Sequence, residues 1–305
     1  MSKHVIVGAG PIGTATALLL AGCGEEVVVV TRSGSGPDHL AITRMAADAG
    51  SAATMGEISA GAAAIYNCAN PRYHQWQTDW PPIARSLLSA AEGSNAVLAT
   101  VSNLYGYGPV SGPMREELPL TAKGPKGGVR AQMWRDALAS HEAGRVRLTE
   151  VRGSDYVGPG AQSHLGQRVV PRLLAGKDVT VMRSADTAHT WTATRDVARL
   201  LVTVAQDERA WGRPWHVPSN PPRTQREAVG DLCRIAGVDP VKVKEYPRLL
   251  IRGMGLFSKQ MGELPEVAYQ FEDPFVLDST AAQETFDLEP TPWDDVLADV
   301  IAGFR

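Results

Sequence analysis

The stretch Lys3-His-Val-Ile-Val-Gly8-Ala-Gly10-Pro-Ile-Gly13 decides the fold of this chain. The β-branched residues that precede Gly8 predict a buried strand of a parallel sheet. Gly8 permits a tight turn, Gly10 lets a pyrophosphate approach the backbone, and Gly13 lets the next helix lie against the strand. A GxGxxG motif between an apolar strand and an apolar helix therefore predicts a dinucleotide site.

The helix that follows is predicted from about Pro11 to Ala21. Proline suits the first turn of a helix, where its missing N–H costs nothing. The unpaired N–H groups of this turn, which also contains Ile12, and the positive end of the helix dipole would face the phosphates.

The end of the second predicted strand, Val27-Val-Val-Val-Thr31, indicates which dinucleotide is bound. Chains that bind NAD place Asp or Glu about 20 residues past the motif, where it accepts from a ribose hydroxyl. This chain has Arg32 there, next to Ser33. A guanidinium can bind a 2′-phosphate in bidentate fashion, whereas a carboxylate would repel it. We therefore favour NADP(H) over NAD(H), with Thr31, Arg32 and Ser33 at the phosphate; a solvated loop arginine is the alternative.

Composition narrows the class of protein. The chain has 305 residues, with 30 Lys plus Arg and 33 Asp plus Glu and no basic run, so we expect no nucleic-acid partner. Cys23, Cys68 and Cys233 lie far apart and form no CxxC pair, which argues against a zinc site or a disulfide framework. With no signal peptide and no apolar run of membrane-spanning length, we expect a cytoplasmic protein without a membrane partner.

Apolar segments continue to alternate between strand and helix patterns. The remaining strands of the sheet are predicted near Thr43–Ala47, Ala62–Tyr66, Ala96–Val101 and Val146–Val151, and the helices between them within Ser51–Ser59 and at about Trp80–Glu92 and Val129–Ala143. This alternation predicts an α/β fold, a doubly wound parallel sheet that binds ligands at the carboxyl ends of its strands.

Residues at two further strand ends extend the predicted cofactor site. Asp48 could accept a hydrogen bond from the adenine amino group, or could be a plain turn aspartate. Cys68, Ala69 and Asn70 follow the fourth strand, and their small size would let the ribose and pyrophosphate pass close by.

A break in the alternation predicts the domain boundary. Asp155-Tyr-Val-Gly-Pro-Gly160 interrupts regular structure after the sixth strand. We expect a dinucleotide-binding domain over 1–154, to which a segment near 186–206 returns, and a smaller α/β substrate-binding domain over 155–305. In that smaller domain His189 is expected to be a structural histidine, because it lies between apolar positions, and Asp196 to cap the helix that it begins.

The order of these motifs resembles the extended short-chain dehydrogenase/reductase superfamily, in its NAD(P)-dependent epimerase/dehydratase branch. The likeness is carried by the glycine motif, by Ser102-Asn-Leu-Tyr-Gly, by Asp155-Tyr-Val-Gly-Pro-Gly160 and by His189-Thr-Trp-Thr-Ala-Thr-Arg-Asp196. It implies a Rossmann domain with a small C-terminal α/β substrate domain, and an NAD(P)-dependent oxidoreductase or epimerase/dehydratase. The reaction would occur at a carbonyl or carbinol carbon of a small-molecule substrate. Asp155 and Tyr156 stand where that family lines its substrate pocket, although a hinge role is equally plausible.

The catalytic pair usual in that family is absent. Its members generally use Tyr-x-x-x-Lys, in which lysine lowers the tyrosine pKa and the phenol exchanges the substrate proton. None of the seven tyrosines here is followed four residues later by lysine. By position Lys126 replaces the tyrosine and Arg130 the lysine. Lys126 could donate a proton and Arg130 could hold the ribose or a phosphate; alternatively, both are solvated loop residues.

Three residues after the fifth strand are further candidates for catalysis. Asn103 stands where the family has Ser or Thr and could hydrogen-bond a substrate oxygen. Tyr105 and Tyr107 are the phenols nearest the expected nicotinamide, and either could act as the acid or be a packing residue.

The sequence is compatible with two main functions. One is an NADP(H)-dependent oxidoreductase or epimerase-like enzyme with a non-standard proton donor. The other is a catalytically silent NADP(H)-binding sensor or regulatory protein. A flavin or NAD monooxygenase ranks third, because no second nucleotide-binding fingerprint follows. The oligomeric state is open, with a homodimer among the options.

Overall fold

The structure is a computed structural model and describes residues 1–246 and 264–305. Its strands are β1 (Lys3–Val7), β2 (Glu26–Thr31), β3 (Ile42–Ala46), β4 (Ala62–Asn67), β5 (Val97–Asn103), β6 (Arg147–Gly153), β7 (Asp155–Val157), β8 (Val179–Val181), β9 (Trp191–Ala193), β10 (Pro214–His216) and β11 (Val243–Glu245). Its α-helices are α1 (Pro11–Gly22), α2 (Ala52–Ser59), α3 (Trp76–Ser94), α4 (Pro125–Glu142), α5 (Val170–Leu174), α6 (Thr194–Gln206), α7 (Gln225–Ala236), α8 (Thr280–Phe286) and α9 (Trp293–Ala302).

Seven strands form one sheet in the order β10-β6-β5-β4-β1-β2-β3. The chain builds outward from β1 to β3, crosses back to β4 and continues to the opposite edge, as in a doubly wound fold. The interior strands β1 and β2 consist largely of valine and isoleucine because helices cover both of their faces. The predicted α/β fold with a doubly wound parallel sheet is confirmed.

One face of this sheet packs against α2, α3 and α4. The buried cluster on that face joins strand residues to helix residues, among them Val5, Val28, Ile65, Leu98, Leu148, Met55, Leu87 and Trp134. Helix α4 begins at Pro125, one turn before the predicted start at Val129, because proline occupies its first turn after Gly124. Helix α3 likewise begins one turn before Trp80.

The described chain divides into two compact units. The first contains Met1–Gly108, Pro119–Arg152 and Val197–Val217, and the second contains Pro109–Leu118, Gly153–Asp196 and Pro218–Arg305. The segment that rejoins the first unit is thus 197–217, where the sequence indicated about 186–206. It rejoins because β10, at its end, pairs in parallel with β6 at the sheet edge.

The second unit has its own apolar core. Two short parallel pairs, β7 with β9 and β8 with β11, lie beside helices α5, α7 and α9. Asp196 accepts hydrogen bonds at its two carboxylate oxygens from the backbone N–H and the hydroxyl of Thr291. This buried carboxylate therefore connects α6 to the segment that enters α9, a long-range contact that its place at a helix start does not suggest.

A buried histidine should make the stability of this unit depend on pH. His164 opens a π-helical segment, His164–Val169, and its pKa is lowered from 6.5 to about 4 by burial and by Arg168, against the opposing charge of Asp155. The folded state keeps this imidazole neutral, so the unfolded state takes up a proton first as the pH falls.

We expect this contribution to the free energy of unfolding to be complete above about pH 6.5 and to be lost as the pH falls towards 4. Denaturant titrations across that range measure it. His164→Asn should show a smaller decrease, because the variant cannot take up the proton. An equal decrease in both proteins would contradict the assignment.

Candidate functional site

The turn between β1 and α1 has room for a ligand at one glycine only. Gly8 has a φ of 101°, and a Cβ added there would lie 2.6 Å from the carbonyl oxygen of Cys68. A Cβ on Gly13 would overlap the carbonyl oxygen of Gly8. Nothing lies within 4 Å of a Cβ on Gly10. Gly8 and Gly13 are therefore required by packing, whereas Gly10 leaves exposed backbone open to an approaching group.

The start of α1 suits an anion. Pro11 opens the helix, Gly10 provides no side chain to cap it, and its first turn has no acidic residue. The N–H groups at Ile12 and Gly13 consequently have no acceptor within the helix, and the positive end of the dipole lies at the same turn. These residues fit the diphosphate of a dinucleotide.

Exposed polar residues follow β2. Arg32 and Ser33 are exposed in the turn after Thr31. The Thr31 hydroxyl donates to the carbonyl oxygen of Ser35 at 3.0 Å, and the Ser33 hydroxyl donates to the Ser35 hydroxyl at 3.0 Å. These bonds shape the turn, and the Arg32 side chain is exposed just after the strand; its contact with a 2′-phosphate stays a prediction.

Asp48 has the geometry of a turn residue. Its carboxylate accepts a hydrogen bond from the backbone N–H of Gly50 at 2.9 Å. Its side chain is exposed beyond β3. The contact with adenine stays a prediction.

The loop after β4 packs against the glycine turn. Cys68 donates its backbone N–H to the carbonyl of Val7 at 2.9 Å, and its Cβ lies 3.2 Å from the position of a Cβ on Gly13. Burial raises the pKa of the Cys68 thiol to about 12, against the effect of a hydrogen bond with Thr16. Ala69 is half-buried and Asn70 is exposed. Cys68 is thus an uncharged packing residue beneath the turn.

Lys126 and Arg130 are buried on α4 rather than solvated in a loop. Lys126 is 2% exposed, with Nζ 4.4 Å from the centre of the Tyr73 ring. The Arg130 guanidinium lies over the Trp76 and Trp80 rings, at 4.7 and 4.2 Å, and donates to the carbonyl of Val101 at 3.3 Å. The alternative of two solvated loop residues is wrong, because aromatic rings of α3 and of the turn before it cover both cations.

The other three candidates, at the end of β5 and in the loop after it, differ in their exposure and hydrogen bonds. Asn103 Oδ1 accepts from the backbone N–H of Tyr105 at 3.1 Å, which fixes the turn. Tyr105 is half-buried, with its ring 6.2 Å from that of Trp76. Tyr107 is fully buried, and its hydroxyl lies 2.8 Å from Nε2 of His216. Tyr107 has the surroundings of a packing residue, while Tyr105 keeps access to the surface.

Sequence reasoning missed a buried polar network behind this loop. Arg152, near the end of β6, donates to Glu150 at 2.7 Å and to the hydroxyl of Tyr107, in the loop after β5, at 2.7 Å. Burial opposes the guanidinium charge, but Glu150 and Tyr107 outweigh it and raise the pKa of Arg152. The only signal in the sequence was two charged residues within an apolar strand, Glu150 and Arg152.

The described residues contain neither a membrane-spanning helix nor a cluster of metal-binding side chains. Over 1–246 and 264–305, no helix is long and apolar enough to cross a membrane. Over the same residues, no group of three or more His, Cys, Asp or Glu side chains could hold a metal ion.

Comparisons with solved structures agree with the topology. The enzyme WbmH of Bordetella bronchiseptica, in complex with NAD+, is 20% identical, with 100% of this chain and 99% of that chain covered and a TM-score of 0.77. DesIV, a dTDP-glucose 4,6-dehydratase of Streptomyces venezuelae with NAD and TYD bound, is 20% identical over 99% and 97% of the two chains, with a TM-score of 0.78. The UDP-glucose 4-epimerase of Thermotoga maritima with UDP-glucose is 16% identical over 99% and 98%, with a TM-score of 0.80. At these identities the likeness shows the fold.

The family is shown by sequence. No curated protein matches the chain significantly. The model of the NAD dependent epimerase/dehydratase family matches residues 4–217, well over half of the chain. The resemblance to the epimerase/dehydratase branch is confirmed, and the chain belongs to the NAD-dependent epimerase/dehydratase family.

Proposed function

We propose that this protein is a nicotinamide-dinucleotide-dependent oxidoreductase or epimerase-like enzyme. Its substrate would be a small molecule with a carbonyl or carbinol carbon, of the sugar-nucleotide class to which the UDP-glucose in one similar structure belongs. The observation that carries the proposal is the open backbone at Gly10 before the uncapped start of α1. The cytoplasmic location and a homodimer stay predictions.

The cofactor we propose is NADP(H). Its support is Arg32, an exposed cation at the end of β2 with no carboxylate beside it. Two of the similar structures contain NAD, and NAD(H) is therefore the alternative. The two forms differ by the 2′-phosphate, for which a guanidinium is a matched partner.

The chain's own residues would have separate roles. When bound, the cofactor supplies or receives a hydride. Gly10 and the N–H groups of Ile12 and Gly13 would hold its diphosphate. Asn103 and Tyr105 would orient the substrate oxygen by hydrogen bonding, since both are half-buried, Asn103 as the last residue of β5 and Tyr105 in the loop after it. Lys126 and Arg130 would be fixed positive charges beneath that loop, the first as a candidate proton donor and the second for the ribose.

A catalytically silent NADP(H) sensor is the second candidate function. It is favoured by the packing of Lys126 and Arg130 against Tyr73, Trp76 and Trp80. Cations enclosed by aromatic rings are well suited to stabilise the fold, and poorly suited to exchange protons with a substrate.

Two glycine substitutions should separate binding from folding. Gly10→Ala adds a methyl group in open space, so stability should change by less than about 0.5 kcal/mol while dinucleotide affinity falls about tenfold or more. Gly13→Ala should lower the free energy of unfolding by about 1–3 kcal/mol, because its methyl group meets the Gly8 carbonyl. Denaturant unfolding and calorimetric titration measure the two quantities. Unchanged affinity in Gly10→Ala would show that the diphosphate lies elsewhere.

Cofactor choice depends on one charge. Arg32→Ala should weaken NADPH binding by roughly 2–3 kcal/mol, through loss of a charge-assisted phosphate contact, and leave NADH binding nearly unchanged. Calorimetry with both dinucleotides measures the difference, and Arg44→Ala, an exposed arginine on β3, is the matched control. Equal losses of affinity for both dinucleotides would show that Arg32 does not contact the 2′-phosphate.

Hydride transfer distinguishes the enzyme from the sensor. Purified protein with NADPH or NADH and a panel of aldehydes, ketones and sugar nucleotides should show loss of absorbance by the reduced cofactor. Tyr105→Phe should slow this turnover about tenfold, the value of one hydrogen bond, whereas Tyr246→Phe in the second unit should not. Tight NADPH binding without turnover on any member of the panel would favour the sensor.

A further inference from the structure

A cleft opens between helices α3 and α4 above the sheet, and every residue that lines it belongs to the first unit. Its volume is about 420 Å³, within the roughly 300–1,000 Å³ usual for small-molecule sites. The apolar side chains that line it come from the sheet and from both helices, and they include Leu87, Leu98, Met133, Trp134 and Leu148. The cleft therefore has the size and the walls of a site for a small, largely apolar molecule.

The floor of the cleft includes two buried polar side chains from the sheet. Asn67 and Glu150 line it and are 2% and 4% exposed. Glu150 Oε1 accepts a hydrogen bond from the Arg152 guanidinium at 2.7 Å. The carboxylate charge is balanced by this partner, so the floor is polar but would not repel an anionic ligand.

Gly128, in the first turn of α4, leaves space in the cleft that packing does not require. A Cβ added there would lie 3.8 Å from the carbonyl oxygen of Lys123, which is an ordinary contact. A Cβ on the preceding Gly127 would lie 2.5 Å from the carbonyl oxygen of Tyr105. Packing therefore requires Gly127 and not Gly128. Glycine makes a helix less stable than alanine does, and what Gly128 provides in return is open space.

The facing helix α3 contains similar residues. Ala84 and Pro81 line the cleft, and both Pro81 and Pro82 lie inside the helix. A proline inside a helix has no N–H for the carbonyl oxygen four residues earlier, here those of Gln77 and Thr78. Where they face the cleft, both helices thus contain residues that lower helix stability and keep the cleft open.

The charged residues at the rim of the cleft are mainly cations. Arg85 on α3 and Lys123 before α4 are exposed there, and neither forms an ion pair within the described part of the chain. The acidic residue of the rim, Asp136, accepts a hydrogen bond from Gln132 at 2.6 Å. The rim consequently has a positive charge that complements an anionic group.

We propose that the cleft between α3 and α4 binds an amphiphilic anion, a small molecule with an apolar body and one carboxylate or sulfonate group. The apolar body lies against the leucines and Trp134, and burial of its surface provides most of the affinity. The anionic group lies at the rim, near Arg85 and Lys123, and sets the orientation. This site does not depend on the proposed function, because it is separate from the turn at Gly10.

A fluorescence titration with anilinonaphthalene sulfonate, an apolar aromatic molecule with one anionic group, tests the site. We expect saturable binding to one site per chain. Gly128→Leu should fill the cleft and weaken binding about tenfold or more, whereas Gly56→Leu, at a helical glycine of α2 with open space around it, should not. Ala84→Leu fills the cleft from the facing helix and replaces Gly128→Leu if that variant does not fold. Unchanged affinity in the cleft variants would overturn the proposal.

The role of the rim cations has its own measurement. Phenylnaphthylamine has the same rings without the sulfonate. A double variant with Arg85→Gln and Lys123→Gln should weaken binding of the sulfonate about fivefold and leave that of phenylnaphthylamine unchanged. Decanoate should displace the sulfonate probe, and decylamine, of equal chain length and opposite charge, should not. Equal losses of affinity for both probes would overturn the preference for an anion.

Two further measurements exclude other occupants of the cleft. Saturating NADPH should leave the sulfonate probe bound, and displacement by NADPH would place the probe in the dinucleotide site and overturn the proposal. Sedimentation of the protein and of Gly128→Leu should give the same oligomeric state. A dimer that this substitution dissociates would show that a second copy of the chain covers the cleft, and would overturn the proposal as well.

Discussion

The close contact of two backbone segments is the constraint on which the candidate site depends. The carbonyl of Cys68 and the glycine turn after β1 approach so closely that a Cβ on Gly8 would lie 2.6 Å from that carbonyl oxygen. At Gly13 the first helix packs directly against Gly8. This contact directs the N-terminus of the helix along the carboxyl ends of the strands. Because the contacts are between backbone atoms, the turn keeps its shape without support from side chains. Gly10, the one glycine of the motif with open space, is thereby presented to a ligand.

A second group of contacts surrounds the two cations of α4. Lys126 and Arg130 lie in α4, and aromatic residues of α3 and the turn before it cover them. Stacked cations of this kind hold helices together. The loop after β5 is held in turn by the buried bonds of Tyr107. These contacts fix the two cations of α4 and the loop after β5 within the first unit.

Residue spacing was enough to predict the sheet, because buried strands and glycine turns are local patterns. Valine runs bounded by glycine indicate β1 and β2, and the helices that alternate with them indicate parallel strands. Burial of charged residues could not be predicted in this way. Arg152 and Asp196 each depend on a partner more than 30 residues away, such as Thr291 for Asp196. The desolvation of a charge is decided by those partners and not by its neighbours in sequence.

The sequence by itself determined the fold class, the family and the glycine turn that suits a diphosphate, since these follow from local backbone chemistry. It also established that no tyrosine is followed four residues later by lysine. Only the tertiary structure decided which candidates are accessible: Tyr105 keeps access to the surface, whereas Tyr107 and the two cations of α4 are enclosed. Access depends on what packs around a side chain, and those neighbours come together only when distant segments fold against each other.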